Sequence, residues 1–143
     1  MYDRAMANET LVAAVKSILT LAKTGRSDEA YAGYAQLFGD PAFTGYRPED
    51  QRQALKLMVL AKGLPVNPPP PMVTAFKRAL GPLQALVAAH QEPVDYEMVG
   101  VCQIVLGDER AARTSFQAGL DLERQRDPQS DLCGTLMKRV ASV

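Results

Sequence analysis

The stretch from Tyr96 to Leu120 constrains the fold most, because its apolar residues follow the helical period on both sides of a glycine turn. Gly107-Asp108 interrupts that period, so the stretch predicts two short amphipathic helices joined by a tight turn. Two helices of this length do not hold together in water by themselves. The rest of the chain must therefore supply neighbouring helices that bury their apolar faces.

Small residues in this stretch would let the two helices approach closely. Gly100 lies one helical turn after Tyr96 in the first helix. In the second helix, one stripe contains the residues that should face the first: Ala112, Phe116, Gly119 and Leu120. We expect Gly100 and Ala112 to permit close approach and Phe116 to fill the space beside them.

This pattern resembles the tetratricopeptide repeat (TPR), with a large residue, Val-Gly, a Gly-Asp turn, and then Ala, Phe and a small-Leu pair at the family's intervals. Gln103 departs from it, since the family prefers an aromatic residue there, and the closing Pro128 comes late. The resemblance implies a right-handed array of antiparallel helical hairpins. It also implies a concave groove, lined by the first helix of each hairpin, that binds protein or peptide partners.

A second copy of the turn lies near the N-terminus. Gly25 is followed five residues later by Ala30 and then by Tyr34, just as Gly107 is followed by Ala112 and Phe116. Ile18 occupies the place that corresponds to Gly100, so this hairpin is expected to be more open. The spacings between the turn glycines exceed the family's usual period of about 34 residues, so the repeats are irregular.

The whole chain is therefore expected to form a single all-α, TPR-like domain over residues 1–143. It would comprise about three hairpins and a C-terminal capping helix, preceded by a short lead-in at residues 1–7. The expected hairpins cover about residues 8–39, 48–90 and 94–126, and the capping helix about 128–141. Asn8-Glu9-Thr10 matches a glycosylation sequon, but a helix N-cap at Asn8 or Thr10 is the preferred interpretation.

Proline interrupts this pattern at three places. Pro65–Pro71 predicts an extended polyproline segment, either as a stiff spacer between two helices or as a ligand for a domain that recognises PxxP, and the spacer is preferred. Gly81-Pro82 should kink or split the helix that runs from about Pro71 to His90. Asp127-Pro128 predicts the start of the last helix, with Asp127 as its N-cap.

The charge balance limits the classes of partner. Sixteen basic and sixteen acidic residues are interspersed and give a formal charge of zero, which argues against electrostatic nucleic-acid binding and against a polybasic membrane anchor. The apolar run from Leu11 to Ala22 is broken by polar residues, so it predicts neither a signal peptide nor a membrane span. We expect a cytoplasmic protein.

The sequence contains no catalytic or metal-binding motif. His90 stands alone at a helix end, where a C-cap is the simplest role. Cys102 and Cys133 lack metal-site spacing, and we expect Cys102 to be buried and Cys133 to be partly exposed. We therefore expect no enzyme activity, no cofactor and no bound metal.

A binding surface remains as the expected function, in an adaptor or a chaperone-like protein. The resemblance assigns seven residues to the groove: Val15, Leu19, Gln53, Leu57, Glu97, Val101 and Ile104. Because they are mainly apolar, the groove would suit a hydrophobic or amphipathic peptide or helix, although each residue taken singly is as readily explained as interhelix core. Exposed apolar residues there would also favour self-association. The alternative is a helical sensor domain, in which the helix from Pro71 to His90 closes the groove around a small molecule.

Overall fold

The computed structural model describes residues 4–143, with side chains from Asn8 onward. In this part of the chain all regular secondary structure is helical and there is no strand, which confirms the all-α class. A 3₁₀ helix at Pro41–Gly45 follows the second of seven α-helices. The α-helices are α1 (Arg4–Lys23), α2 (Ser27–Gly39), α3 (Pro48–Val59), α4 (Pro70–His90), α5 (Pro93–Val105), α6 (Glu109–Arg126) and α7 (Asp131–Ser142).

The chain divides into two compact units within α4. The N-terminal unit ends at Ala79 and the C-terminal unit begins at Leu80. Each unit contains one helical hairpin of the kind that the sequence predicts, α1–α2 in the first and α5–α6 in the second.

The two hairpins are joined by the same turn. Gly25 and Gly107 adopt φ values of +79° and +83°, which a residue with a side chain rarely adopts. The residue after each glycine donates its backbone amide to a carbonyl five residues before that donor. The distance is 2.9 Å in the first turn and 2.8 Å in the second. This is the Schellman arrangement, which satisfies carbonyls at the end of one helix and starts the next helix at once. The repeated turn that the sequence indicates is thus present in both units.

Aromatic rings build one part of the N-terminal core. Tyr34 stacks on Phe38 with 5.5 Å between ring centroids, and Phe38 meets Phe43 of the 3₁₀ helix edge to face at 5.1 Å. Gln51 is buried on α3 and donates its side-chain amide to the carbonyl of Tyr46 at 2.8 Å. This bond ties the segment after the 3₁₀ helix to α3.

Glycines bring the helices of the C-terminal unit together. A Cβ atom at Gly100 would overlap the ring of Phe116, and one at Gly119 would lie 3.0 Å from the Cβ atom of Tyr96. The close approach predicted for Gly100 is therefore confirmed. Helix α7 packs against α6, and its Leu136 is fully buried.

Several helix boundaries differ from those expected. Helix α1 begins at Arg4, so Asn8 and Thr10 lie inside it and neither is an N-cap, while residues 1–3 of the expected lead-in lie outside the described residues. Helix α7 begins at Asp131, because Ser130 and not Asp127 is its N-cap. The Ser130 hydroxyl accepts from the amide of Cys133 at 3.0 Å.

Helix α4 runs from Pro70 to His90 without interruption, so it is not split at Gly81-Pro82. Proline removes one helical hydrogen bond and its ring crowds the Cβ of the residue before it, but Gly81 has no Cβ. Of the four consecutive prolines, Pro70 and Pro71 belong to the first turn of α4, and the chain bends at residues 66 and 67. The extended segment is therefore shorter than predicted.

Candidate functional site

An apolar groove lies between α1 and α3 in the N-terminal unit, and we call it the α1–α3 groove. Its volume is about 190 Å³. Its lining residues are Asn8, Leu11, Val12, Val15 and Lys16 of α1 and Asp50, Gln53, Ala54 and Leu57 of α3. Val12 and Leu57 are 42% and 46% exposed and line the same groove, so they form a shared apolar surface and are not isolated exposed side chains.

Helical periodicity explains how each wall is formed. On α1, Leu11 and Val15 lie one turn apart, and Leu11 is buried while Val15 is half-buried. On α3, Gln53 and Leu57 lie one turn apart and are both exposed. Each helix thus presents one stripe to the groove and buries the adjoining stripe in the core.

Three of the seven predicted groove residues meet here, namely Val15, Gln53 and Leu57. Leu19 is half-buried and does not line the groove. The predicted set lacked Leu11, Val12 and Ala54, although each lies three or four residues from a predicted member of the same helix. That spacing was the signal that could have identified them.

The other three predicted residues lie on α5 in the C-terminal unit. The carboxylate of Glu97 is only 3% exposed and accepts from the guanidinium of Arg139 at 2.5 Å. Val101 is 4% exposed, whereas Ile104 is 39% exposed. Glu97 and Val101 therefore belong to the packing of this unit.

A second cavity of about 300 Å³ lies on another side of α1. It is lined by Thr10, Ala14, Ile18, Gly33, Gln36, Leu37, Asp40 and Tyr46. Ile18 of α1 and Gly33 of α2 are in close contact, since a Cβ at Gly33 would lie 2.9 Å from Cγ1 of Ile18. Helix α1 thus has open space on two sides.

The residues with potential chemistry are dispersed or buried. Burial raises the pKa of the Cys102 thiol to about 12, so it stays protonated near neutral pH and is a poor nucleophile. Cys133 is 1% exposed, contrary to the partial exposure expected, because its place in the first turn of α7 faces the core. Within the described residues, no group of three or more His, Cys, Asp or Glu side chains could hold a metal ion.

No helix in residues 4–143 combines the length and apolar character that crossing a membrane requires. Comparison with known proteins gives no relative: no family model, curated protein or solved structure matches the chain.

Proposed function

We propose that this chain is a TPR-like, non-enzymatic protein-interaction module of adaptor or chaperone type, and that it binds an apolar peptide or helix segment in the α1–α3 groove. The observation that carries the proposal is the exposure of Val12 and Leu57 on facing walls of one apolar groove. The matched turns of α1–α2 and α5–α6 support the repeat architecture. The two free, buried cysteines fit a reducing compartment such as the cytoplasm.

The groove's dimensions favour side chains as its occupants. It follows α1 from Asn8 to Lys16, which is about 12 Å of helix at 1.5 Å per residue. A volume of about 190 Å³ is below the 300–1,000 Å³ that is typical of small-molecule sites. An α-helix, about 10 Å across, would lie over the groove and insert side chains one turn apart. This geometry favours a macromolecular ligand over a small molecule in the α1–α3 groove.

The test is retention of proteins from lysate by wild type, by Leu57→Asp and by Met137→Asp, after circular dichroism has shown that all three are folded. Met137 is 49% exposed on α7, so it is matched to Leu57 in exposure but lies outside the groove. We expect a protein that wild type and Met137→Asp retain and that Leu57→Asp retains about thirtyfold less well, as for a buried anchor contact.

Equal retention by all three proteins would contradict the proposal. Co-purification of a small molecule, lost on Leu57→Asp, would replace it with the sensor alternative. If the retained protein is a second copy of this chain, the same comparison identifies the groove as a self-association surface.

A further inference from the structure

Two opposite charges lie on facing walls of the α1–α3 groove. Lys16 on α1 is exposed, and Asp50 on α3 is half-buried. Within the described residues neither side chain forms an ion pair. Lys16 lies one helical turn after Val12, and Asp50 lies one helical turn before Ala54. Each charge is therefore adjacent to apolar lining that a bound peptide would cover.

We infer that the groove selects a peptide in which an apolar anchor lies between one acidic and one basic residue. The inference rests on the proposed function and names the chemistry of its ligand. The acidic residue would pair with Lys16 and the basic residue with Asp50, while the anchor fills the space between Val12 and Leu57. A peptide that forms both pairs at once would be held in one direction in the groove.

The physical reason is partial desolvation on binding. A peptide that covers the groove removes water from beside both charges, so a partner without matching charges leaves them poorly solvated. A partner with the reverse order of charges brings like charges together. Exposed pairs contribute modestly, so these charges set direction and selectivity while the anchor supplies most of the affinity.

The experiment begins with selection of binders to the wild-type protein from a displayed random-peptide library. Peptides whose binding is lost on Leu57→Asp are then synthesised, and their dissociation constants are measured by fluorescence anisotropy. The protein variants are Lys16→Glu, Asp50→Lys and the double reversal. The controls are Lys23→Glu on α1 and Glu49→Lys on α3, which change charge by the same amount at exposed positions outside the groove.

We expect selected peptides to carry an acid and a base around an apolar residue. Each single reversal should weaken binding about fivefold, and less at high ionic strength. The variant with both reversals should prefer a peptide in which the acidic and basic residues are exchanged. The two control variants should bind the original peptide as wild type does.

Two results would overturn the inference, and they are distinguishable. If Leu57-dependent peptides lack paired charges and are indifferent to both reversals, the charge selection is wrong and the proposed function stands. If no peptide binds in a Leu57-dependent manner, the groove is not a peptide site and both proposals fail.

Discussion

The α1–α2 and α5–α6 hairpins share one turn but differ in which helices carry a glycine at the contact between them. In α5–α6 both helices do, with Gly100 on the first and Gly119 on the second, whereas in α1–α2 that glycine is Gly33 on the second. In α5–α6, Gly100 on the first helix receives the ring of Phe116 from the second. In α1–α2, Ile18 on the first helix points at Gly33 on the second. The turn is thus encoded by the glycine and the residues after it, whereas the contact between the helices is encoded separately, in the middle of each helix.

The two contacts differ in what surrounds them. The ring of Phe116 is 2% exposed and lies under the guanidinium of Arg139, at 5.7 Å from its centroid. Ile18 is also buried, yet a cavity of about 300 Å³ adjoins both it and Gly33. The α5–α6 hairpin is therefore closed by packing, whereas α1 keeps space beside it.

The largest expected effect comes from the ion pair between Arg139, which is partly exposed, and the buried Glu97. The described side chains of α1–α2 form no comparable pair. Arg139→Met leaves the carboxylate of Glu97 buried without its cation, and we expect the free energy of unfolding to fall by about 3 kcal/mol in urea titrations. Arg26→Met removes an ion pair whose side chains are 58% and 55% exposed, and it should change that free energy by less than about 0.5 kcal/mol.

The double variant Glu97→Met/Arg139→Met sharpens this test. Replacing both partners by apolar side chains leaves no unpaired charge, so much of the lost stability should return. A double variant as unstable as Arg139→Met alone would show that the pair acts through packing and not through charge.

Gly100→Ala should have the next largest effect. Its Cβ overlaps the ring of Phe116, so the helices must separate, and we expect a loss of about 2 kcal/mol. The matched control is Gly134→Ala on α7, where a Cβ meets no atom within 4 Å. Alanine's helix propensity should stabilise that variant by up to about 1 kcal/mol. Faster amide hydrogen exchange confined to α5 and α6 would locate the damage, and a stabilised Gly100→Ala protein would refute the close contact.

Gly33→Ala tests the contact between the helices of the α1–α2 hairpin. The new Cβ would lie 2.9 Å from Cγ1 of Ile18, but Ile18 can shift toward the adjoining cavity. Since alanine also favours the helix, the net change in urea titrations should stay within about 1 kcal/mol. A loss equal to that of Gly100→Ala would mean that α1 is as tightly held as α5.

Local signals made the hairpins predictable. Gly25 and Gly107 must adopt a positive φ, and the alanine and aromatic residues that follow them share one helical stripe, so a short window specifies each turn. Helix α4 was less predictable, because a proline within a helical pattern indicates a break, whereas Pro82 lies inside α4 and is buried.

The candidate site was predictable only in part, because long-range contacts decide which stripe of a helix stays open. Val15, Gln53 and Leu57 were assigned to a groove by their places in the repeat pattern, and all three line the α1–α3 groove. Glu97 received the same assignment, yet its partner Arg139 lies 42 residues later and buries it. No spacing within α5 reveals that contact.

The smallest expected effect separates the two equivalent aromatic residues, Tyr34 and Phe116. Burial, and then the neighbouring Tyr31, raise the pKa of Tyr34 above its usual value of 10.0. Because of this raised pKa, the Tyr34 hydroxyl keeps its proton to a higher pH in the folded state than in the unfolded chain. Its contribution to the free energy of unfolding is therefore fully present below about pH 10 and is lost as the pH rises through the folded pKa. Tyr34→Phe should therefore lose less stability than wild type between about pH 10 and pH 11. Urea titrations across that range measure the difference, and equal alkaline losses in the two proteins would show that the Tyr34 hydroxyl is solvated as fully in the folded state as in the unfolded chain.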